Sequence, residues 1–473
     1  MSKRIIIFSL ILFSSFVTTS VLGALAPTIT PNLSNQRDNT LNALFRPKAS
    51  AAKVTEKWVN DDGPSQIKQV VISADGNYIA AIYESSKNVT LFHRDSNSTI
   101  WEFEAADFID EIAISWNGSY IVACDDTNVY LLNSTEENPK TAMWKFNGTM
   151  PVTSDIYVDI SLDGKYTAVG IGHDFEALYL LNNSYSQNKK EEWQVDTNIV
   201  TDLPSCVSIS GDANFTVFGD DSTGHVHLFN KTKIPSKIAE WKYDTTATIK
   251  DVEMSHTGDY FIATNDQNEA YLFNTTDYQG IPTWKFSKPG NLVQDIAISA
   301  DGNFSVVCYA GTVYYLNNTF SALTSQKEPL WEWNAGDLKD VDISADGKYI
   351  VIATGSGATL YLLNSTKTAP KVEEWKDYDG DEVYVVSINA LGDYFVAGIS
   401  LPSSIYRISL FHHDISIPTI PPGLLGGGDD DDDDDDDEER AIPFGGYYLL
   451  FFMIGIISSI IIMKRKIAAA KNE

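Results

Sequence analysis

Cysteine is nearly missing from this chain. Cys124, Cys206 and Cys308 are scattered through 473 residues, with no spacing that suits a disulfide framework or a cysteine-based metal motif. Free, buried thiols are the expectation, so the fold must be held by its apolar core. Positive charge is scarce as well: 34 Lys and Arg stand against 64 Asp and Glu, for a formal net charge of −30. A run of eleven carboxylates at 429–439 accounts for only part of that excess. A surface of this sign offers no basic patch to phosphates, which excludes nucleic acid as a partner. It suits cations and basic partners instead. HExxH, GxSxG, CxxC and a glycine-rich phosphate loop are all absent, so no catalytic signature stands out. Histidine numbers only seven. His225 and His227 in HVHLF would point to one side of a strand, but no third ligand is apparent near them, and ordinary packing is the expectation. His412 and His413 read as the end of the last strand.

Long apolar runs occur only at the two ends. Lys3 and Arg4 precede the apolar stretch 5–17 and then small residues around Gly23, the order of a secretory signal peptide cleaved after residue 23. Residues 24–54 read as a linker. Near the other end, residues 442–463 are apolar and are followed at once by Lys464, Arg465 and Lys466. The length suits one transmembrane helix. The basic cluster places the tail 464–473 on the cytoplasmic side. Between 414 and 441 lies a Pro, Gly and poly-Asp segment that reads as an extended stalk. The expectation is a single-pass cell-membrane protein with its N-terminus and ectodomain outside.

Between these ends one phrase repeats. ISADGNY (72–78), ISWNGSY (114–120), ISLDGKY (160–166), ISGDANF (209–215), MSHTGDY (254–260), ISADGNF (298–304), ISADGKY (343–349) and INALGDY (388–394) recur at a spacing of 42 to 49 residues. Each is followed by a β-run, then by a second run ending in a phrase such as YLLN, then by a tryptophan segment. Four short strands per period describe a propeller blade. Trp101, Trp144, Trp193, Trp241, Trp284, Trp331 and Trp375 follow repeats one to seven, whereas repeat eight has none and Trp58 precedes repeat one. The economical solution is an all-β, eight-bladed propeller over 55–413, closed by an N-terminal strand; seven blades is the alternative.

The turn phrase resembles that of the WD-repeat propellers, most closely at Ser73–Gly76, Ser161–Gly164, Ser299–Gly302 and Ser344–Gly347. Leu-Asn stands where that family has Trp-Asp. The tryptophan in the fourth strand is similar to that of the eight-bladed pyrroloquinoline-quinone (PQQ) propellers. The chain thus resembles divergent propellers of prokaryotic surface proteins, archaeal ones above all. That resemblance implies the fold; the membrane anchor and the acidic surface add the expectation of a binding domain for an extracellular protein, glycan or cation-dependent partner. A structural envelope component and a PQQ- and calcium-dependent dehydrogenase are the alternatives; no cofactor is certain and calcium is possible.

In the WD-repeat chain path, the turns joining strands one to two and three to four share a face. Sequons close the third strand at Asn133, Asn182, Asn230, Asn274, Asn317 and Asn364. Asn97 lies in the same kind of turn, and Asn117, Asn214 and Asn303 lie in the first turn. Only Asn88 and Asn147 fall on the opposite face. Twelve sequons exceed the about five expected from composition, which supports a glycoprotein; Asn and Ser/Thr are also ordinary turn residues. The opposite face is acidic, with CDDTN (124–128), GDDST (219–223), TNDQNE (264–269) and DYDGDE (377–382). Glu111, Asp251, Asp295 and Asp340 each lie four residues before the Ser of the turn phrase. On innermost strands they would ring the mouth of a central channel and hold a cation such as calcium, or a cationic partner.

Overall fold

The computed structural model describes residues 54–415, apart from short stretches at 136–138, 148–154, 173–176, 185–190, 197–203, 234–238, 278, 289, 320–326, 356, 358, 368–371, 379–381 and 402–403. The expected signal, linker, stalk, transmembrane segment and tail lie outside the described residues. Among the described residues no helix is long and apolar enough to cross a membrane.

Eight four-stranded antiparallel sheets make up the fold. In seven of them the strands follow chain order, as in blade four: Pro204–Ile209, Phe215–Asp220, His225–Asn230 and Trp241–Asp244. Blade eight is assembled from both ends of the chain. Its order is Val54–Gly63, Ile405–His413, Tyr394–Leu401, Glu382–Ile388, with Val54 opposite His413 and Trp58 opposite Leu410. The N-terminal strand is therefore the missing fourth strand of repeat eight, and eight blades, not seven, is the count.

Among the described residues the core is divided. The buried apolar residues fall into eight clusters, each drawn from two adjacent blades; one joins Val122, Leu131 and Trp144 of blade two to Ile156, Val169 and Leu181 of blade three. A blade covered on both faces explains the continuous apolar middle strands, such as Tyr120–Asp125 and Asn128–Asn133, which are buried almost throughout. First strands alternate instead: Ile67–Ile72 and Ile249–Met254 bury every second or third residue and turn the others towards the axis. All three cysteines are free and buried, so they belong to these clusters.

The repeated phrase is a hairpin that also joins blades. Ser344 Oγ accepts the amide of Tyr349 at 3.0 Å and donates to Asp346 Oδ1 at 2.8 Å. In blade eight Asn389 replaces the serine and its Oδ1 accepts the Tyr394 amide at 3.0 Å. The turn glycine takes φ near +70°, as Gly118 does at +67°, where a side chain is strained. It has a second task. A Cβ on Gly118 would lie 2.5 Å from the ring of Tyr78, the aromatic that ends the phrase of the preceding blade. Glycine and aromatic thus recur together because each blade's glycine packs on its neighbour's ring. Repeat four has Ala213 here, at φ +57°.

Candidate functional site

The first strand of each blade faces the axis, and its residues two and four before the turn serine point inward. Most first strands carry a register shift just before the second of these positions, as between Ile109 and Glu111 or Leu338 and Asp340. Such bulges re-aim a side chain. The result is a cavity of about 570 Å³ on the axis, whose lining includes Glu111, Asp159, Asp251, Glu253 and Asp342. Lys250 is the one lysine or arginine among the lining residues.

One end of this cavity is bounded by a closed belt of backbone hydrogen bonds. The amide of Trp116 donates to Leu162 O at 3.0 Å, Leu162 to Gly211 O at 3.0 Å, and Gly211 to His256 O at 3.0 Å. Thr257 continues to Ala300 O, Ala300 to Ala345 O, Ala345 to Ala390 O, Ala390 to Ala74 O, and Asp75 to Trp116 O. Eight blades are stitched in sequence, and the last meets the first. The Trp116 and His256 rings meet edge to face at 5.6 Å and narrow this end. Burial drops the His256 pKa from 6.5 to about 4, so the ring is neutral at ordinary pH.

The carboxylates also stitch blades together. Glu111 Oε2 accepts the Val158 amide at 2.8 Å, Asp295 Oδ2 the Val341 amide at 2.7 Å, and Asp340 Oδ2 the Val386 amide at 2.7 Å. A second tier, two residues nearer the turn, does the same. Asp159 Oδ2 accepts from Ile209 N at 2.9 Å and Ser208 Oγ at 3.0 Å, and Asp342 Oδ2 accepts from Ile388 N at 2.9 Å. Each of these bonds crosses to the next blade. Among the described residues, Asp251 accepts from its neighbour Val252 at 2.8 Å and from no amide of the next blade.

Half-buried on the innermost strands and surrounded by like charge, these groups hold protons tightly. Burial, against the Val158 hydrogen bond and with Asp159 and Asp251 nearby, lifts Glu111 to about 8. Burial lifts Asp251 to about 7 and Asp159 and Asp342 to about 6. Asp295 is raised well above the usual range by burial and then by the neighbouring Asp340.

The structure thus places the four sequence-derived residues on innermost strands, with Glu111 and Asp251 lining the cavity and Asp295 and Asp340 meeting each other. It adds Asp159, Glu253 and Asp342, which sequence reasoning missed. Their signal was present: each lies two residues before the turn serine, on the same side of the strand as the position four before. Asp125, in one of the acidic loops, behaves differently from the ring. Burial acts to raise Asp125, but hydrogen bonds from Tyr130, Thr127, Asn128 and the Asp107 amide more than offset it and hold the carboxyl below its usual value. His413 is buried against Tyr349, with ring centroids 4.7 Å apart, and His412 packs on Tyr394 at 4.8 Å, so both help to close blade eight.

The third-strand sequons have a local cause. Asn230 Oδ1 accepts from Thr232 N at 3.0 Å and Thr232 Oγ1 at 2.7 Å, and Asn274 with Thr276 and Asn317 with Thr319 repeat the pattern. Asn-x-Thr is itself the turn.

No protein-family model matches the chain, and no curated protein does. Solved structures do. The C-terminal WD40 domain of Sif2 aligns over 76% of this chain and 98% of its own, at 14% identity and a TM-score of 0.56. This fold is a WD-repeat-like β-propeller. The Cps50 (Swd1) β-propeller domain of Myceliophteria thermophila aligns over 75% of the chain and 99% of its own at 9% identity, with a TM-score of 0.48. At these identities the likeness concerns the fold of the propeller alone.

Proposed function

We propose that the chain is a membrane-anchored extracellular interaction module. Its propeller receives a cationic partner, a basic protein segment or a multivalent cation, at the carboxylate-lined mouth of the axial cavity. One observation carries this reading: five carboxylates and one lysine line a single cavity. Its open end belongs to the face with two of the twelve propeller sequons. The apolar segments at 5–17 and 442–463 support display outside a membrane. The raised carboxyl pKa values support a site that a bound cation would discharge, because a cation competes with the protons held there.

The test uses the full-length protein in mild detergent, titrated with an oligolysine peptide and separately with calcium at two salt concentrations. Saturable, salt-sensitive binding that a Glu111→Gln/Asp251→Asn/Glu253→Gln variant loses supports the proposal. Equal binding by a folded variant sinks it. The same result distinguishes a spacer, whose carboxylates serve only the blade-to-blade hydrogen bonds.

A further inference from the structure

Blade four departs from its neighbours at one hairpin. Asp220 ends its second strand, His225 opens the third, and His227 follows on the same side. Although no third ligand was apparent beside HVH in sequence, the hairpin supplies one. A ligand atom from each of Asp220, His225 and His227 lies within 4.8 Å of the other two, and among the described residues this is the one such group of three.

The other blades serve as internal controls. Phe218 pairs with His227 in blade four as Ala123 pairs with Tyr130 in blade two. Blade two therefore has Asp125, Asn128 and Tyr130 at the equivalent positions, where Tyr130 Oη donates to Asp125 Oδ2 at 2.7 Å and Asn128 Nδ2 to Oδ1 at 2.8 Å. Tyrosine also stands at this register position in blades three, five, six and seven, as Tyr179, Tyr271, Tyr314 and Tyr361. Blade four alone puts imidazoles at both positions facing the carboxylate.

The donors are held in place. Asp220 is fully buried; its Oδ1 accepts the Ser222 amide at 2.9 Å, and its Oδ2 accepts the His225 amide at 2.8 Å and the Thr223 hydroxyl at 2.6 Å. Hydrogen-bonded carboxylates of this kind are what orient metal ligands. His227 is stacked on Phe218 with centroids 4.6 Å apart. His225 Nδ1 lies 3.5 Å from Asp220 Oδ2, and the His225 side chain is 17% exposed, which leaves an approach from solvent. Two ligands each about 2.0–2.1 Å from one tetrahedral zinc are themselves about 3.4 Å apart, close to the 3.5 Å between His225 Nδ1 and Asp220 Oδ2.

We propose that Asp220, His225 and His227 form a binding site for a divalent transition-metal ion, with zinc the best match. Two imidazole nitrogens and one carboxylate oxygen suit zinc or copper, whereas calcium and magnesium take oxygen donors. The ion clasps the second and third strands of blade four and keeps a fourth position for water. Lys242, opposite His227 in the fourth strand, is exposed and carries its charge into solvent.

The test uses the full-length protein in mild detergent, stripped with chelator. Cobalt and copper serve as spectroscopic probes and zinc as competitor. One equivalent of cobalt is expected to give the visible absorption of a low-coordinate nitrogen–oxygen site, and one equivalent of zinc to displace it. Copper is expected to show nitrogen hyperfine structure. Two variants use residues that the repeat already accommodates. His227→Tyr copies blade two, and Asp220→Asn copies blade five, where Asn265 accepts the amides of Gln267 and Glu269 at 3.1 and 3.0 Å. Both are expected to fold as the wild type does, to lose at least about tenfold in zinc affinity, and to lose the rise in melting temperature that zinc gives the wild type. Glu111→Gln/Asp251→Asn is expected to retain the site. Equal zinc affinity in wild type and His227→Tyr, or copper bound through oxygen alone, would overturn the proposal and put the ion on the channel carboxylates.

Discussion

The indole Nε1 of Trp58 donates to the carbonyl oxygen of Arg94 at 2.9 Å. Trp58 belongs to blade eight and Arg94 to the last turn of blade one, so this bond spans the seam where the ring closes. Beside it the Trp58 ring lies 5.7 Å from that of Phe92, and Arg407 bonds Asp61 at 2.7 Å.

Replacing Trp58 by Phe keeps most of the packing and removes the bond, for a loss of about 1 kcal/mol in urea unfolding. Deleting residues 1–63 exposes the whole edge of Ile405–His413. That variant is expected to associate, seen as a shift to larger species in size-exclusion chromatography, because an uncovered edge strand pairs with others.

Gly118→Ala meets two penalties. Its φ of +67° disfavours a side chain, and the new Cβ would lie 2.5 Å from the Tyr78 ring. The expected cost is about 2–4 kcal/mol. Ser344→Ala, which leaves the buried Tyr349 amide without the hydroxyl, is expected to cost less, about 1–3 kcal/mol. Parallel thermal melts rank the two.

The channel carboxyls make stability depend on pH with a definite sign. Unfolded, they titrate at about 4; folded, Asp159 and Asp342 keep protons to about 6, Asp251 to about 7 and Glu111 to about 8. Across that window the folded state binds more protons than the unfolded one, so stability falls as pH rises. His256, with a folded pKa of about 4 against 6.5, acts oppositely at the acid end. A melting temperature that is highest at about pH 4 and declines towards pH 8 is expected, because the four carboxyls outweigh the one histidine. Glu111→Gln, whose amide oxygen still accepts the Val158 amide, is expected to flatten the alkaline part of that decline. An unchanged profile counts against these assignments.

Glycan attachment is expected to follow hydrogen bonding of the asparagine Nδ2. Asn303 Nδ2 bonds Asp301 at 2.6 Å, Asn97 Nδ2 bonds Val59 O at 2.8 Å, and Asn364 Nδ2 bonds Glu374 at 3.2 Å. Asn230, Asn274 and Asn317 use Oδ1 in their turns. Site-resolved mass spectrometry of the protein purified from its membrane is expected to find higher occupancy at these three. Uniform occupancy would show that the folded turn does not govern attachment.

The sequence by itself determined the repeating four-strand blade, the turn phrase and the closing strand. Those follow from interactions a few residues long, repeated: a serine bonding an amide five residues on, a glycine at positive φ, and apolar runs that demand cover. It also placed Glu111, Asp251, Asp295 and Asp340 on the innermost strands. Tertiary structure alone decided what those carboxylates touch, because Asp159 bonds Ile209 fifty residues away and Glu111 bonds Val158 forty-seven away. Such partners depend on the angle and rise between neighbouring blades, which no local pattern encodes. The Asp220–His225–His227 cluster lies between these cases. Its members are close in sequence, but the point at which the strand turns back decides that the carboxylate faces the two imidazoles.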